Sequence, residues 1–311
     1  MGEIIGHKNI IDNLKRRIEL KEISHAHIIV GENGIGKSKL ANNLARNILG
    51  KYEDKDYIDI INYRCKRSSF GVDEAREIIE EINKKPFEGD KKVIIIYDGN
   101  KLTAQAQNAL LKSIEEPPKG VFIILLCESL ELILDTIKSR CQTYKLSPLT
   151  REEIQLYIDS INNNSFSVEE INAAISYSEG IPGKAEAFLR DSSLKDLRNT
   201  IIDLIFLLIK NNSIDILEFE SKLLSYKDKK EDILNIIASF IRDIIIYKEI
   251  NRVTGLINGD KIESIKKLAI EMSYNRLNNI IDKVGEARKS FQSNSNFQLT
   301  IRVMIIGFME V

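Results

Sequence analysis

The fold is decided by one stretch, Gly31-Glu32-Asn33-Gly34-Ile35-Gly36-Lys37-Ser38, which matches the pattern G-x-x-x-x-G-K-[ST] in full. Residues 26–30 before it are mostly apolar and predict a buried strand. Residues 37–49 after it repeat apolar side chains at the helical period and stop at Gly50, so they predict a helix. Glycines in such a turn let backbone amides surround phosphate groups. The stretch therefore predicts a phosphate-binding loop, and the alternative is a turn that only joins strand and helix.

Residues 1–149 alternate short apolar runs with helical segments, which is typical of a parallel sheet covered by helices on its faces. Helices are predicted at residues 37–49, 73–85 and 103–116. Strands are predicted at residues 26–30, 57–62, 93–97, 121–126 and 142–146. We therefore expect an α/β domain over residues 1–149 that contains a five-stranded parallel sheet.

Strand patterns stop after Pro148. Helical periodicity occupies residues 150–161, 168–178 and 184–190, and then continues from residue 194 to the end. A break at Asp191-Ser192-Ser193 divides this region. We predict a small helical domain over residues 150–193 and an all-helical domain over residues 194–311.

Composition narrows the class of protein. The 311 residues carry 45 basic and 46 acidic side chains, a net charge of -1, and 43% are hydrophobic, which indicates a globular protein. A net charge this small gives no field to steer the chain onto nucleic acid or a membrane. Without an apolar run of about 20 residues or a signal pattern, we expect a cytoplasmic protein with no membrane partner. Cys65, Cys127 and Cys141 are widely spaced and predict neither a disulfide framework nor a zinc site.

A second apolar run, residues 93–97, ends in a carboxylate at Asp98. An aspartate at a strand end is often only a turn residue, but together with a phosphate-binding loop it predicts a Mg²⁺ site shared with Ser38. Lys37 would then contact the β- and γ-phosphates. The next residue is Gly99, where hydrolysing enzymes of this arrangement commonly carry a glutamate that activates water. The sequence thus predicts nucleotide binding without that base.

Residues 108–118, NALLKSIEEPP, and Ser139-Arg140-Cys141 resemble the clamp-loader subunits of the AAA+ family, as found in bacterial DNA polymerase III. Further similarity lies at Ile5-Gly6-His7, at residues 24–27, 71–77 and 180–185, and at residues 291–296 with Leu299. The resemblance covers most of the chain. It implies an AAA+ domain, a helical lid and a helical collar that joins other subunits. It also places Ile5 beside the adenine of a bound nucleotide.

Departures from the family pattern suggest which kind of subunit this is. Motor subunits carry Asp-Glu where this chain has Asp98-Gly99, an arginine where Gly183 falls, and threonines where Cys127 and Glu128 fall. The four-cysteine zinc module of many relatives is missing, so no zinc is expected. Arg140 is kept, and in the family it reaches the nucleotide of the neighbouring subunit as an arginine finger. Taken alone, Arg140 would be read as a surface arginine near a strand.

The resemblance therefore implies a stator that binds ATP or ADP with Mg²⁺ statically and completes the site of another subunit. The implied partners are the motor (gamma/tau) and delta subunits, and, through the complex, the sliding clamp and primed DNA. Two alternatives remain: an active AAA+ ATPase of the motor type and a self-contained P-loop kinase. The adjacent carboxylates Glu115 and Glu116 are expected to be a solvated helix end rather than an acid-base pair.

Overall fold

The computed structural model describes residues 4–65, 69–161, 165–210, 213–253, 255–293 and 295–309. It divides into two compact units. The first comprises residues 1–157 and 180–183, and the second comprises residues 158–179 and 184–311. The domain boundaries near 149 and 193 expected from the sequence stay predictions.

The first unit is built on a parallel sheet with the strand order β2-β3-β4-β1-β5. The strands are β1 (Ala26–Val30), β2 (Ile60–Tyr63), β3 (Lys92–Ile96), β4 (Val121–Cys127) and β5 (Gln142–Lys145). The predicted five-stranded parallel sheet is confirmed. β2 starts later than expected because Tyr57 forms a turn, in which its carbonyl accepts from the amide of Ile60, and Asp59 accepts from the amides of Phe87 and Glu88.

Helices cover both faces of the sheet. They are α1 (Lys8–Glu19), α2 (Lys37–Ile48), α3 (Val72–Asn83), α4 (Ala104–Glu115) and α5 (Asp135–Lys138). Alternate residues of β3 point to opposite faces, so Ile94 and Ile96 pack with α3, α4 and α5, whereas Val93 and Ile95 pack with α1 and α2. This three-layer arrangement buries the strands on both sides, which explains their nearly continuous apolar sequences.

Among the described residues after β5, the regular elements are helices, as predicted. They are α6 (Arg151–Ile161), α7 (Val168–Ser178), α8 (Pro182–Arg190), α9 (Ser192–Lys210), α10 (Ser213–Leu224), α11 (Lys230–Ile250), α12 (Ile262–Glu271), α13 (Tyr274–Gln292) and α14 (Phe297–Gly307). An apolar core runs through the helices from α9 to α14, with fully buried Ile237, Phe240 and Ile301. No helix in the described part of the chain is long and apolar enough to cross a membrane.

Candidate nucleotide-binding site

The loop between β1 and α2 has the backbone shape that its glycines permit. Gly34 and Gly36 adopt positive φ angles of 85° and 111°, which side chains other than glycine rarely tolerate. Gly36 is also the N-cap of α2, and no side chain caps that helix start. Nothing lies within 4 Å of the position a Cβ of Gly36 would take. The first turn of α2 therefore presents backbone amides at an open concave loop, which is a favourable place for an anion.

Lys37 folds back over this loop. Its Nζ donates hydrogen bonds to the carbonyl oxygens of Gly31 at 2.6 Å and Glu32 at 2.9 Å. Burial lowers the pKa of Lys37, and the negative charge of Glu128 opposes this most strongly, ahead of Cys127, Asp98 and Glu32. The ammonium group is thus bound to the backbone of the loop, and the charges of nearby carboxylates act on it.

A second glycine, Gly183 at the start of α8, lies directly against the loop. Its amide donates to the carbonyl of Gly34 at 3.0 Å, and a Cβ on Gly183 would lie 2.8 Å from the Cα of Gly34. Side chains cannot fit at that distance without movement of the backbone. Gly183 is therefore required by the close packing of its backbone against Gly34.

The carboxylate proposed for Mg²⁺, Asp98, lies two residues beyond the end of β3 and adopts a positive φ of 54°. Its Oδ1 lies 3.6 Å from the Nζ of Lys101. Ser38 is exposed in the first turn of α2. β3 and β1 are both parallel to β4 and end at the same edge of the sheet, so Asp98 and the loop share that edge. In the described part of the chain, no group of three or more metal-ligating side chains could hold a metal ion by itself.

Gly99 is enclosed by the sheet. A Cβ at this position would lie 2.7 Å from the Sγ of Cys127 and 2.8 Å from the Cδ1 of Leu125, both of which are buried. A side chain at this position would therefore require these two β4 side chains to shift.

The loop after β4 is held by an asparagine that the sequence patterns did not identify. The side chain of Asn100 accepts from the amide of Glu128 and donates to the carbonyl of Ser129 at 2.6 Å. A buried glutamine, Gln107, similarly bonds the backbone of Leu132 and Leu134. Both side chains bind loop residues that are distant in sequence. Local sequence patterns around Asn100 and Gln107 therefore do not predict these contacts.

The N-terminal segment lies against the same unit. Ile5 is half-buried, and Gly6 has a φ of 78° at a point where any Cβ would collide with Leu149. His7 is the N-cap of α1, and burial lowers its pKa. His27 is fully buried in β1 with its ring stacked on Tyr144. Ile5 belongs to this segment, and its place beside an adenine stays a prediction.

Arg140 lies at the opposite edge of the sheet from the loop. It precedes β5 by two residues, and β5 is parallel to β1 with His27 paired to Gln142 and Val30 to Lys145. The loop follows the end of β1, whereas Arg140 lies where β5 begins. The strand length alone separates the two by roughly 13 Å. The exposed guanidinium forms an ion pair with Glu115 and donates to the carbonyl of Thr136 at 2.8 Å.

The three cysteines form no disulfide with one another and lie around one apolar core. Burial raises the pKa of Cys127 and that of Cys141 to about 12. Both therefore stay protonated near neutral pH and lack the thiolate needed for nucleophilic attack.

Two family models match the chain. The model described as "DNA polymerase III, delta subunit" matches residues 6–150, and its C-terminal counterpart, "DNA polymerase III, delta subunit, C terminal", matches residues 193–310.

Curated relatives match along the whole chain. The chain is 26% identical to DNA polymerase III subunit delta' of Bacillus subtilis, over 96% of the chain and 94% of the relative. It is 27% identical to DNA polymerase III subunit gamma of a Buchnera aphidicola strain, over 99% and 89%.

One solved structure supports the fold. A gamma subunit-related protein from Thermotoga maritima superposes with a TM-score of 0.53, at 18% identity, covering 96% of this chain and 98% of the other. Because the two models together span both the sheet unit and the C-terminal helices, the chain belongs to the clamp-loader family of DNA polymerase III subunits, proteins of DNA replication.

Proposed function

We propose that the protein is a clamp-loader stator of the delta-prime type, which supplies Arg140 to the ATP site of a neighbouring subunit and does not hydrolyse ATP itself. The observation that carries this proposal is the position of Arg140 at the edge of the sheet opposite its own loop. A guanidinium there cannot reach a phosphate held by Lys37, but it is exposed and therefore accessible to a neighbouring subunit. An arginine placed in trans stabilises charge on the transferred phosphoryl group and accelerates hydrolysis by about 10³ to 10⁵.

The environment of Gly99 supports the absence of hydrolysis in this subunit. The chain has no carboxylate at residue 99, and a Cβ there would lie within 3 Å of the buried side chains of Cys127 and Leu125. A glutamate at this position would therefore require the core around it to move.

The loop residues fit a nucleotide with Mg²⁺. The open space at Gly36, the uncapped start of α2 and the ammonium of Lys37 together provide an anion cradle. Residues 31–38 would hold the phosphates, Ser38 and Asp98 would hold Mg²⁺, and Ile5 would lie at the base. A bound Mg²⁺ would neutralise phosphate charge at this site. ATP or ADP held here would be static.

The helices from α9 to α14 form the collar in this proposal. They would join the motor (gamma/tau) and delta subunits, and the assembled complex would load the sliding clamp onto primed DNA. The near-zero net charge agrees with a subunit that does not bind DNA tightly by itself.

The test is the ATPase activity of a reconstituted complex that contains this chain, motor and delta subunits, clamp and primed DNA. Arg140→Ala should leave assembly intact, as measured by native mass spectrometry, and reduce the ATPase activity of the complex at least tenfold. Lys138→Ala is the matched control because Lys138 is a cation close to Arg140 in sequence that pairs with Asp135 of its own helix. Unchanged activity with Arg140→Ala in an intact complex would refute the finger assignment.

The second candidate is an active ATPase of the motor type, which the complete loop sequence and the similarity to a gamma subunit favour. The isolated chain distinguishes the two. A stator binds nucleotide with negligible turnover, whereas a motor shows turnover that Lys37→Ala abolishes.

A further inference from the structure

Hydrogen bonds hold the backbone at Glu128 on two sides, next to the phosphate-binding loop. In the register of β1 and β4, Val30 lies opposite Cys127, and the amide of Gly31 donates to the carbonyl of Cys127 at 3.1 Å. The next residue, Glu128, therefore starts its loop next to the first residue of the phosphate-binding loop. On the other side its amide is bound by the side chain of Asn100, which also holds Ser129 at 2.6 Å.

The negative charge of the Glu128 side chain acts on Lys37 of this loop. It is solvent-exposed, and its carboxylate is the charged group that most strongly favours the protonated form of Lys37. Asp98 and Glu32 act on Lys37 in the same direction. Three carboxylates thus act on Lys37, and one of them, Asp98, also lies 3.6 Å from the Nζ of Lys101.

The negative charge of Glu128 would act unequally on the phosphates of a bound nucleotide. In a bound nucleotide, the amides of the loop and the start of α2 would surround the inner phosphates, and a third phosphate would lie at Lys37, the cation on which Glu128 acts. Glu128 stands at the end of β4. Repulsion between a carboxylate and a phosphate several ångströms away is substantial near a protein surface, where the effective dielectric constant is well below that of water.

We infer that Glu128 is a specificity-determining residue, which makes the loop of this chain prefer a nucleoside diphosphate over a triphosphate by repelling the third phosphate. The inference rests on the nucleotide binding in the proposed function and deepens it. A site that retains a nucleoside diphosphate would keep the same bound nucleotide while neighbouring subunits exchange and hydrolyse ATP. This would explain why the nucleotide of the stator is static.

The experiment measures the affinities of the full chain for ADP and ATP by isothermal titration calorimetry at fixed free Mg²⁺. We expect the wild type to bind ADP more tightly than ATP. Glu128→Gln keeps the shape of the side chain and removes its charge, so the ratio of the two dissociation constants should shift toward ATP by roughly threefold to tenfold. Glu131→Gln is the matched control, because Glu131 is an exposed carboxylate of the same loop that is not among the charges acting on Lys37.

Three results would overturn the inference. The first is that both nucleotides bind but the ratio of their dissociation constants is unchanged in Glu128→Gln. The second is that the wild type hydrolyses ATP and Glu128→Gln abolishes this turnover, which would make Glu128 the missing base. The third is that neither nucleotide binds to either chain. That result would leave the role of Arg140 intact, since the ATPase of the reconstituted complex tests that role separately.

Discussion

The carboxylate of Glu115 forms an ion pair with the guanidinium of Arg140. Glu115 is the last residue of α4, and Arg140 follows α5 by two residues, so the contact joins two segments that both lead into strands of the sheet. The two side chains are 41% and 39% exposed, which leaves the guanidinium accessible while its direction is fixed. Glu115 is exposed at the end of α4, as the sequence predicts, and its ion pair with a residue distant in sequence adds a contact that local patterns do not contain.

Glu115→Gln should lower the ATPase activity of the reconstituted complex by roughly twofold to fivefold. The loss is small because an exposed ion pair contributes less than about 1 kcal/mol, and the guanidinium remains present. Steady-state turnover at saturating ATP measures it. The neighbouring residue supplies the control: Glu116 is exposed and carries the same charge, so Glu116→Gln should leave turnover unchanged. Equal effects of the two variants would mean that only general surface charge matters.

Gly99→Ala should destabilise the first unit by roughly 1–3 kcal/mol, because the added Cβ would overlap buried side chains of β4. Chemical unfolding followed by circular dichroism measures this. Cys127→Ala removes the nearest atom, so the double variant should recover part of the loss, and a double-mutant cycle would report the coupling. The control is Gly89→Ala, since no atom lies within 4 Å of the added Cβ there. Additive effects of Gly99→Ala and Cys127→Ala would contradict the steric argument.

Local patterns predicted the fold well. β1 and α7 have the predicted bounds, and the loop at residues 31–38 lies between strand and helix as expected. These elements depend on periodicity and turn chemistry, which are readable over about ten residues. The side-chain anchors of the site, such as Asn100 and Glu115, depend on pairs 25 or more residues apart. Such contacts exist only once the sheet has formed, so no local pattern contains them.

Arg198→Ala should destabilise the second unit by about 3–5 kcal/mol, since it leaves buried polar partners uncompensated. The side chain of Arg198 is 5% exposed and donates to both carboxylate oxygens of Asp260, at 2.8 and 3.1 Å, and to Asn258 at 3.0 Å. Asn258 in turn bonds Asp243, which is fully buried. Removing the guanidinium therefore weakens a network that joins α9, α11 and the segment before α12.

The midpoint of chemical unfolding measures this effect. Lys266→Ala is the control because it removes an exposed cation paired with Glu263 within one helix, and it should not change the midpoint. A small effect of Arg198→Ala would mean that water replaces the guanidinium in the folded state.

Acid should destabilise the first unit through His27. Burial lowers the pKa of His27 from 6.5 to about 4, and the nearby charges of His25 and Arg17 act in the same direction, while the Ser24 backbone opposes them. The unfolded chain binds the proton first, so the contribution of neutral His27 to stability is complete above pH 6.5. It is lost as the pH falls toward 4. Between pH 7 and pH 5 the loss should be about 2 kcal/mol. His27→Phe keeps an aromatic ring against Tyr144 without a titratable group, so its unfolding free energy should fall less over the same range. Parallel losses in both proteins would show that carboxylates alone cause the acid sensitivity.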